Sequence, residues 1–191
     1  MPFELEPSEL KDNLDWLYTQ DYAQGENHVT EALFKWFFFS NPKIQKRFLS
    51  KICGVPGRRA SWKRLNLQRR GKRGTPDAVL TLANGSELLF EVKVKQQAVS
   101  RKQAIRHLKD AGIGTRRRAR GHSPKLLVIT PDFREPEKLA RLPDPYRQAV
   151  VWVPWIEVIH FLKKLRSPKS SDRLLRDGLL LFLIGQRLSP V

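Results

Sequence analysis

The sequence has a single cysteine, Cys53, among its 191 residues. One cysteine excludes an internal disulfide and a cysteine-rich zinc module, so we expect a reducing compartment, and the cytoplasm fits best. The N-terminal stretch MPFELEPSELKDN is acidic and has no apolar centre, so it does not resemble a secretory signal. The longest apolar run, LLLFLI at 179–184, is too short to span a bilayer. We therefore expect no membrane-spanning segment.

Acidic residues are scarce compared with basic ones. The chain has 19 Asp and Glu against 36 Lys and Arg, which gives a formal net charge of +17. Such an excess is typical of proteins that work on a polyanion, because each neutralised phosphate releases condensed counterions. An anionic membrane surface is the alternative, but the sequence has no long basic amphipathic helix with an aromatic face. Nucleic acid is therefore the expected partner.

The pattern of apolar residues predicts one α/β domain over residues 1–191, with a mixed central β-sheet flanked by helices. There is no internal repeat and no low-complexity linker. The aromatic run Trp36 to Phe39 is expected in the core. The predicted helices are 8–23, 26–39, 43–55, 100–113, 156–165 and 171–188, with strands at 62–67, within a hairpin at 76–95, at 125–130 and at 150–155.

The hairpin is the most informative segment, because Asn84-Gly85 is a strong turn signal between two strand-like runs. A two-residue loop would mix polar and apolar residues on each face. A three-residue loop over 83–85, with Gly85 in the left-handed position, keeps the faces separate and pairs Leu82 with Ser86. This second register places Asp77 opposite Glu91, with β-carbons about 5 Å apart. We therefore predict the three-residue loop.

This register places Asp77, Glu91 and Lys93 on the same face of the hairpin. Two facing carboxylates repel each other, and a hard divalent cation such as Mg²⁺ relieves the repulsion by taking carboxylate ligands. Lys93 lies two residues beyond Glu91 on the same face. Its amine could activate a water or offset charge during phosphoryl transfer. The alternative is an exposed hairpin face with scattered charges.

The motifs Pro76-Asp77 and Glu91-Val92-Lys93 resemble the signature of the PD-(D/E)xK nuclease superfamily, which has the restriction-endonuclease-like fold. The element order over about residues 26–162 is similar to the core of that family. The resemblance implies a Mg²⁺-dependent nuclease, with Mn²⁺ as a substitute and DNA as the favoured substrate. It implies that Asp77, Glu91 and the Val92 carbonyl hold the metal, and that Lys93 positions or deprotonates the attacking water.

Two further residues enter through the same resemblance. Members of the superfamily often carry a glutamate on the helix before the hairpin, and Glu26 opens the apolar stripe of helix 26–39. A glutamine often follows the acid-x-Lys motif, with a tyrosine four residues later. Here Gln103 matches, and His107 replaces the tyrosine. Gln103 is expected to orient the site or contact phosphate, and no histidine is predicted to act as a general base.

Basic segments lie on both sides of the proposed site in the sequence. Arginine-rich loops around a metal site favour phosphate contact, and Trp62 among them either stacks on an unpaired base or packs at the core or sheet edge. The C-terminal helix is either a core element or a face for pairing two copies, so a homodimer stays open. The alternative function is a catalytically inactive basic nucleic-acid-binding protein of the same fold. The predicted nucleic-acid contacts are Arg58, Arg59, Lys63, Arg64, Arg69, Arg70, Lys72, Arg73, Arg116, Arg117, Arg118 and Arg120.

Overall fold

The computed structural model describes residues 25–67, 75–114 and 124–188, so the predicted helix at 8–23 lies outside the described residues. None of the helices within these three ranges has both the length and the apolar character needed to cross a membrane. The helices are Gly25–Phe39 (α1), Pro42–Lys51 (α2), Arg101–Asp110 (α3), Glu137–Ala140 (α4), Trp155–Lys164 (α5) and Ser170–Gly185 (α6). The strands are Trp62–Leu67 (β1), Ala78–Leu82 (β2), Glu87–Val92 (β3), Lys125–Thr130 (β4) and Val150–Pro154 (β5).

The five strands form one mixed sheet in the order β1-β2-β3-β4-β5. The β1–β2 and β2–β3 pairs are antiparallel, whereas the β3–β4 and β4–β5 pairs are parallel. Helices lie in the connections between the parallel strands, with α3 between β3 and β4 and α4 between β4 and β5. The predicted α/β class with a mixed sheet and flanking helices is confirmed, and the arrangement is consistent with the restriction-endonuclease-like fold.

The β2–β3 hairpin has the predicted register. Leu80 pairs with Leu88 and Ala78 pairs with Phe90. The Leu82 N–H donates to the Ser86 carbonyl at 2.8 Å, which closes the three-residue loop. Gly85 has a φ of 87°, a left-handed value that glycine adopts without steric cost. The turn residues and the alternation of apolar residues therefore both favour this register of the hairpin.

The sheet separates two apolar layers. Leu80, Phe90 and Ile129 face the larger layer, which contains buried residues of α1, α2, α5 and α6. Val79, Leu89 and Val128 face the smaller layer, which contains Ala104 and Leu108 of α3. Because alternate strand residues point to opposite faces, Asp77 and Glu91 have the parity of Val79 and Leu89. Their side chains therefore belong to the α3 side of the sheet.

The prediction that the whole aromatic run 36–39 lies in the core was wrong in part. Trp36 and Phe37 are fully buried, whereas Phe38 is 52% exposed and Phe39 is 42% exposed. Consecutive helical residues are rotated by about 100°, so four in a row cannot share one face. Phe37 and Phe38 both contact the Trp62 ring, whose indole N–H donates to Gln45 at 3.0 Å. Trp62 therefore packs at the sheet edge.

A buried carboxylate, Asp172, ties α6 to the start of α2. Asp172 is 3% exposed and accepts hydrogen bonds from the Asn41 backbone N–H at 3.2 Å and the Ser167 hydroxyl at 2.6 Å. It also accepts from the Asn41 side chain, whose oxygen caps the α2 N-terminus through Lys43 N–H and Ile44 N–H. Asp172 therefore links three elements through one side chain.

Removing that carboxylate leaves several buried donors unpaired. Asp172→Ala is expected to lower the free energy of unfolding by about 2–3 kcal/mol. Asp177→Ala, on the same helix with a side chain 54% exposed, is the matched control and should change it by less than about 0.5 kcal/mol. Urea denaturation of both variants measures the difference. Equal stability of the two variants would show that the Asp172 contacts do not stabilise the fold.

Candidate active site

The site lies where β3 ends and β2 begins. Asp77 immediately precedes β2, and its backbone N–H donates to the Phe90 carbonyl at 3.0 Å. Its carboxylate oxygen Oδ2 accepts a hydrogen bond from the Val92 N–H at 2.7 Å. The paired register ends at Ala78 and Phe90, and Asp77 and Glu91 are the next residues along the two chains. They lie close enough for the charge of Glu91 to act on Asp77.

Lys93 follows β3, and its backbone is held at both polar groups. Its N–H donates to the Ile129 carbonyl at 2.8 Å, and its carbonyl accepts from the buried Trp155 indole at 2.9 Å. These bonds attach the chain after β3 to β4 and to the start of α5. The backbone of Lys93 is thus fixed at both of its polar groups.

The ammonium group of Lys93 lies between two carboxylates from different elements. Its Nζ atom is 2.7 Å from Oε1 of Glu91 on β3 and 2.9 Å from Oε2 of Glu26 in the first turn of α1. The side chains of Lys93 and Glu91 are 9% and 5% exposed, whereas that of Glu26 is 35% exposed. The structure therefore brings together the predicted residues Glu26, Glu91 and Lys93.

Helix α3 supplies two more contacts to Glu91. Ser100 caps this helix by accepting from the Gln103 N–H. Gln103 donates from its amide nitrogen to Oε1 of Glu91 at 2.7 Å, and Nε2 of His107 lies 3.1 Å from Oε2. Of the two roles predicted for Gln103, the contact fits orientation of the site.

His107 was not predicted to take part in the site. It is 1% exposed, and within the described ranges its Nδ1 has no hydrogen-bond partner. The bond to a carboxylate oxygen requires a proton on Nε2. Its spacing of four residues from Gln103 places both side chains on one face of α3. That spacing was the available signal, and it became meaningful once Gln103 was placed against Glu91.

The electrostatics of the acids differ. Burial and the neighbouring charge of Glu91 raise the pKa of Asp77 to about 6, although the Val92 N–H and Lys93 act in the opposite direction. Burial alone would also raise the pKa of Glu91, but the hydrogen bond from His107 and the charge of Lys93 outweigh it, so this pKa is lowered. Burial opposes the charge of Lys93, yet Glu91 and Glu26 raise the lysine pKa. Glu91 and Lys93 therefore form a stable ion pair, and Asp77 lacks full compensation.

The chemistry of these donors fits a hard divalent cation. Three carboxylates and one ammonium leave a formal excess of two negative charges when all are ionised. One divalent ion would neutralise that excess, and carboxylate oxygen is its preferred ligand. Within the described ranges, however, no group of three or more His, Cys, Asp or Glu side chains is already arranged to hold a metal ion. Glu26 and Glu91 contact the lysine amine instead, and Asp77 accepts from the Val92 N–H.

The remaining predicted ligand, Val92, is fully buried. Its N–H donates to Asp77, which places the residue between the two acids in space. A role for its carbonyl as a metal ligand stays a prediction.

The described basic residues at 58–64 lie away from the carboxylates. Arg64 pairs with Thr81, and Ser61 accepts a hydrogen bond from Ala83 N–H at 2.8 Å, next to the turn. Thr81 is four residues along β2 from Asp77, a distance of about 13 Å along the strand. Although these residues precede the hairpin in sequence, β1 runs antiparallel to β2 and carries them toward the turn. Arg58, Arg59, Lys63 and Arg64 are all exposed there, and nucleic-acid contact by them stays a prediction.

The other predicted nucleic-acid contacts, Arg69, Arg70, Lys72, Arg73, Arg116, Arg117, Arg118 and Arg120, lie outside the described residues.

Comparison with known proteins adds one likeness. No family model matches the chain, and no curated protein matches it. One solved structure, a crystal structure of a repair endonuclease from Pyrococcus abyssi, aligns with a TM-score of 0.42 and 14% sequence identity. The alignment covers 70% of this chain and 48% of the other chain, so this chain corresponds to about half the length of that protein.

Proposed function

We propose that this protein is a divalent-metal-dependent nuclease that hydrolyses phosphodiester bonds, with DNA as the favoured substrate. The observation that carries the proposal is the cluster of Glu26, Glu91 and Lys93, with Asp77 close to Glu91, at the end of a sheet in a strongly basic chain. The cluster has excess negative charge that attracts a metal ion, and the basic surface attracts a polyanion. The motif resemblance to the PD-(D/E)xK superfamily agrees with this function.

The proposed roles follow from the donors. Asp77 and Glu91 would hold Mg²⁺, or Mn²⁺ in its place, with the Val92 carbonyl as a further ligand. Glu26 would hold a second metal or a water bound to it. When bound, the metal would supply positive charge against the negative charge that develops on the phosphate. Gln103 and His107 hold both oxygens of Glu91 in place and so orient this ligand.

Lys93 acts as a cation in this proposal. Glu91 and Glu26 raise its pKa, so the ammonium form is favoured in the metal-free protein. An ammonium can donate a hydrogen bond to the attacking water and to a phosphate oxygen, but it has no lone pair with which to take a proton. Of the roles predicted for Lys93, positioning and charge stabilisation therefore fit the free protein better than general-base catalysis.

A cleavage assay with three substrates tests the function. The protein is incubated with circular single-stranded DNA, circular double-stranded DNA and linear RNA, each with Mg²⁺, Mn²⁺ or EDTA. We expect cleavage of DNA with either metal and none with EDTA. Cleavage of a circle would also identify an endonuclease, because an exonuclease needs an end. Salt-dependent binding without cleavage under any condition would instead support the alternative, a basic binding protein that keeps the fold.

A matched pair of variants separates intrinsic cleavage from a contaminant. Glu91→Gln keeps the side-chain volume but removes the charge, and we expect it to lower the cleavage rate by about 100-fold or more. Glu87→Gln makes the same change at the other end of β3, away from the cluster, and should keep the wild-type rate. Equal rates for both variants would contradict the assignment of Glu91.

The extent of the domain and the pairing of two copies are also proposals. We propose that residues 1–191 form one nuclease domain, with the core at about 26–162. Pairing of two copies through α6 also stays open, and sedimentation of the purified protein would measure it. Leu174, Leu181 and Ile184 of this helix are 43%, 73% and 46% exposed.

A further inference from the structure

The contacts of Glu91 show which groups compensate its negative charge in the absence of a metal ion. Its Oε1 atom accepts from both Lys93 and Gln103, each at 2.7 Å, and its Oε2 atom accepts from His107 at 3.1 Å. A carboxylate oxygen has two lone pairs, so Oε1 is fully used. Metal binding through that oxygen therefore requires one of its donors to leave.

Of the two donors to Oε1, Lys93 is the one that would oppose a metal ion. It is positively charged, and it also takes Oε2 of Glu26 at 2.9 Å. A divalent cation bound through Oε1 of Glu91 would lie close to this ammonium and would repel it. Gln103 is neutral, so it does not oppose the ion electrostatically. The absence of a ready three-ligand group among the described residues agrees with this arrangement.

We propose that Lys93 is a resident counter-cation, which holds Glu26 and Glu91 in the metal-free protein and must leave them when a divalent ion binds. The inference rests on the proposed function, because it assumes that this cluster is the metal site. Displacement would involve only the side chain of Lys93, because its backbone is hydrogen-bonded to Ile129 and Trp155. The released ammonium then becomes available to a phosphate oxygen of the substrate.

Metal affinity is the first test. The dissociation constant for Mn²⁺ is measured by titration calorimetry for the wild type, Lys93→Met and Lys35→Met. Lys35 is the matched control, because it pairs with Glu31 at 2.7 Å and its side chain is 15% exposed. We expect Lys93→Met to bind Mn²⁺ about 10- to 100-fold more tightly, since two charge-assisted hydrogen bonds no longer compete. Lys35→Met should match the wild type.

The second test uses the wild-type protein and does not depend on how a variant folds. Lysine acylation is followed by mass spectrometry in EDTA and at saturating Mn²⁺. Lys93 is 7% exposed and should react slowly in EDTA, then several-fold faster with Mn²⁺. Lys35 should react at the same rate in both conditions. An unchanged reactivity of Lys93 at saturating Mn²⁺ would overturn the displacement.

The outcomes separate this inference from the proposed function. Equal Mn²⁺ affinity of wild type and Lys93→Met, with binding lost in Glu91→Gln, would overturn the counter-cation alone and keep the metal site. No Mn²⁺ binding by either the wild type or Lys93→Met would overturn the metal site, and the counter-cation with it.

Discussion

Replacing Lys93 by methionine is expected to lower the rate of Mn²⁺-dependent DNA cleavage by about 1,000-fold at saturating metal. Methionine keeps an unbranched chain of similar length but removes the charge and the hydrogen-bond donors. The ammonium lies within 2.9 Å of Glu26 and Glu91, so the loss falls on the centre of the cluster. Charge that develops on the phosphate would then be stabilised by the metal alone.

Single-turnover cleavage at saturating Mn²⁺ measures this loss, because it isolates the chemical step from metal binding. Lys35→Met removes one positive charge elsewhere and should retain the wild-type rate. We expect the Lys93 variant to combine tighter Mn²⁺ binding with slower cleavage, a combination that general destabilisation would not produce. A Lys93 variant that cleaves at the wild-type rate would remove Lys93 from the mechanism.

The predictable part of the site is encoded locally. The register of the β2–β3 hairpin follows from the Asn84-Gly85 turn and the alternation of apolar residues, and it places Asp77 next to Glu91. Lys93 follows on the same face because side chains alternate along a strand. Glu26 could be named from its place at the start of the apolar stripe of α1. Its contact with Lys93 at 2.9 Å depends on how α1 packs on the sheet, which the sequence does not state.

The parts that could not be predicted depend on tertiary placement. The four basic residues at 58–64 precede the hairpin in sequence, yet the antiparallel pairing of β1 with β2 carries them to the end of the sheet away from Asp77. In the sequence, His107 is notable only as the residue that replaces the family tyrosine four residues after Gln103. It acquires a role only because α3 packs across β3 and turns the faces of Gln103 and His107 toward Glu91. Proximity in sequence was therefore misleading for the basic residues at 58–64. For His107 it did not reveal the contact with Glu91.

The two acids of the hairpin are also not equivalent, which the register alone could not reveal. Glu91 has three donors within 3.1 Å and a lowered pKa. Asp77 accepts the Val92 N–H, and its pKa is raised to about 6. The charge that a metal ion would relieve is therefore concentrated on Asp77, and a substitution there should show it.

Asp77→Asn is expected to have opposite effects on activity and stability. Loss of a charged metal ligand should lower the cleavage rate by about 1,000-fold, since a bound metal contributes several kcal/mol to transition-state stabilisation. The same change should make the metal-free protein more stable at pH 8. Asparagine has nearly the same shape, and its side-chain oxygen can still accept the Val92 N–H, so the main change is removal of an uncompensated charge.

The sign of the stability effect follows from proton linkage. The pKa of Asp77 is about 6 in the folded protein and 3.8 for an unperturbed aspartate, so the folded state binds the proton more tightly. Ionised Asp77 therefore destabilises the fold fully above pH 6, by up to about 3 kcal/mol. This cost declines as the pH falls from 6 toward 3.8. The stability advantage of Asp77→Asn should decline over the same interval.

Urea denaturation in EDTA at pH 8 and pH 4.5 measures this difference between the variant and the wild type. We expect Asp77→Asn to be the more stable protein at pH 8, with the gap reduced by more than half at pH 4.5. Excess Mn²⁺ at pH 8 should stabilise the wild type and have less effect on the variant, because the ion then neutralises the charge that the substitution removed. An Asp77→Asn protein that is less stable than the wild type at pH 8 would contradict an uncompensated charge at Asp77. The attraction of this site for a divalent cation would then need another source.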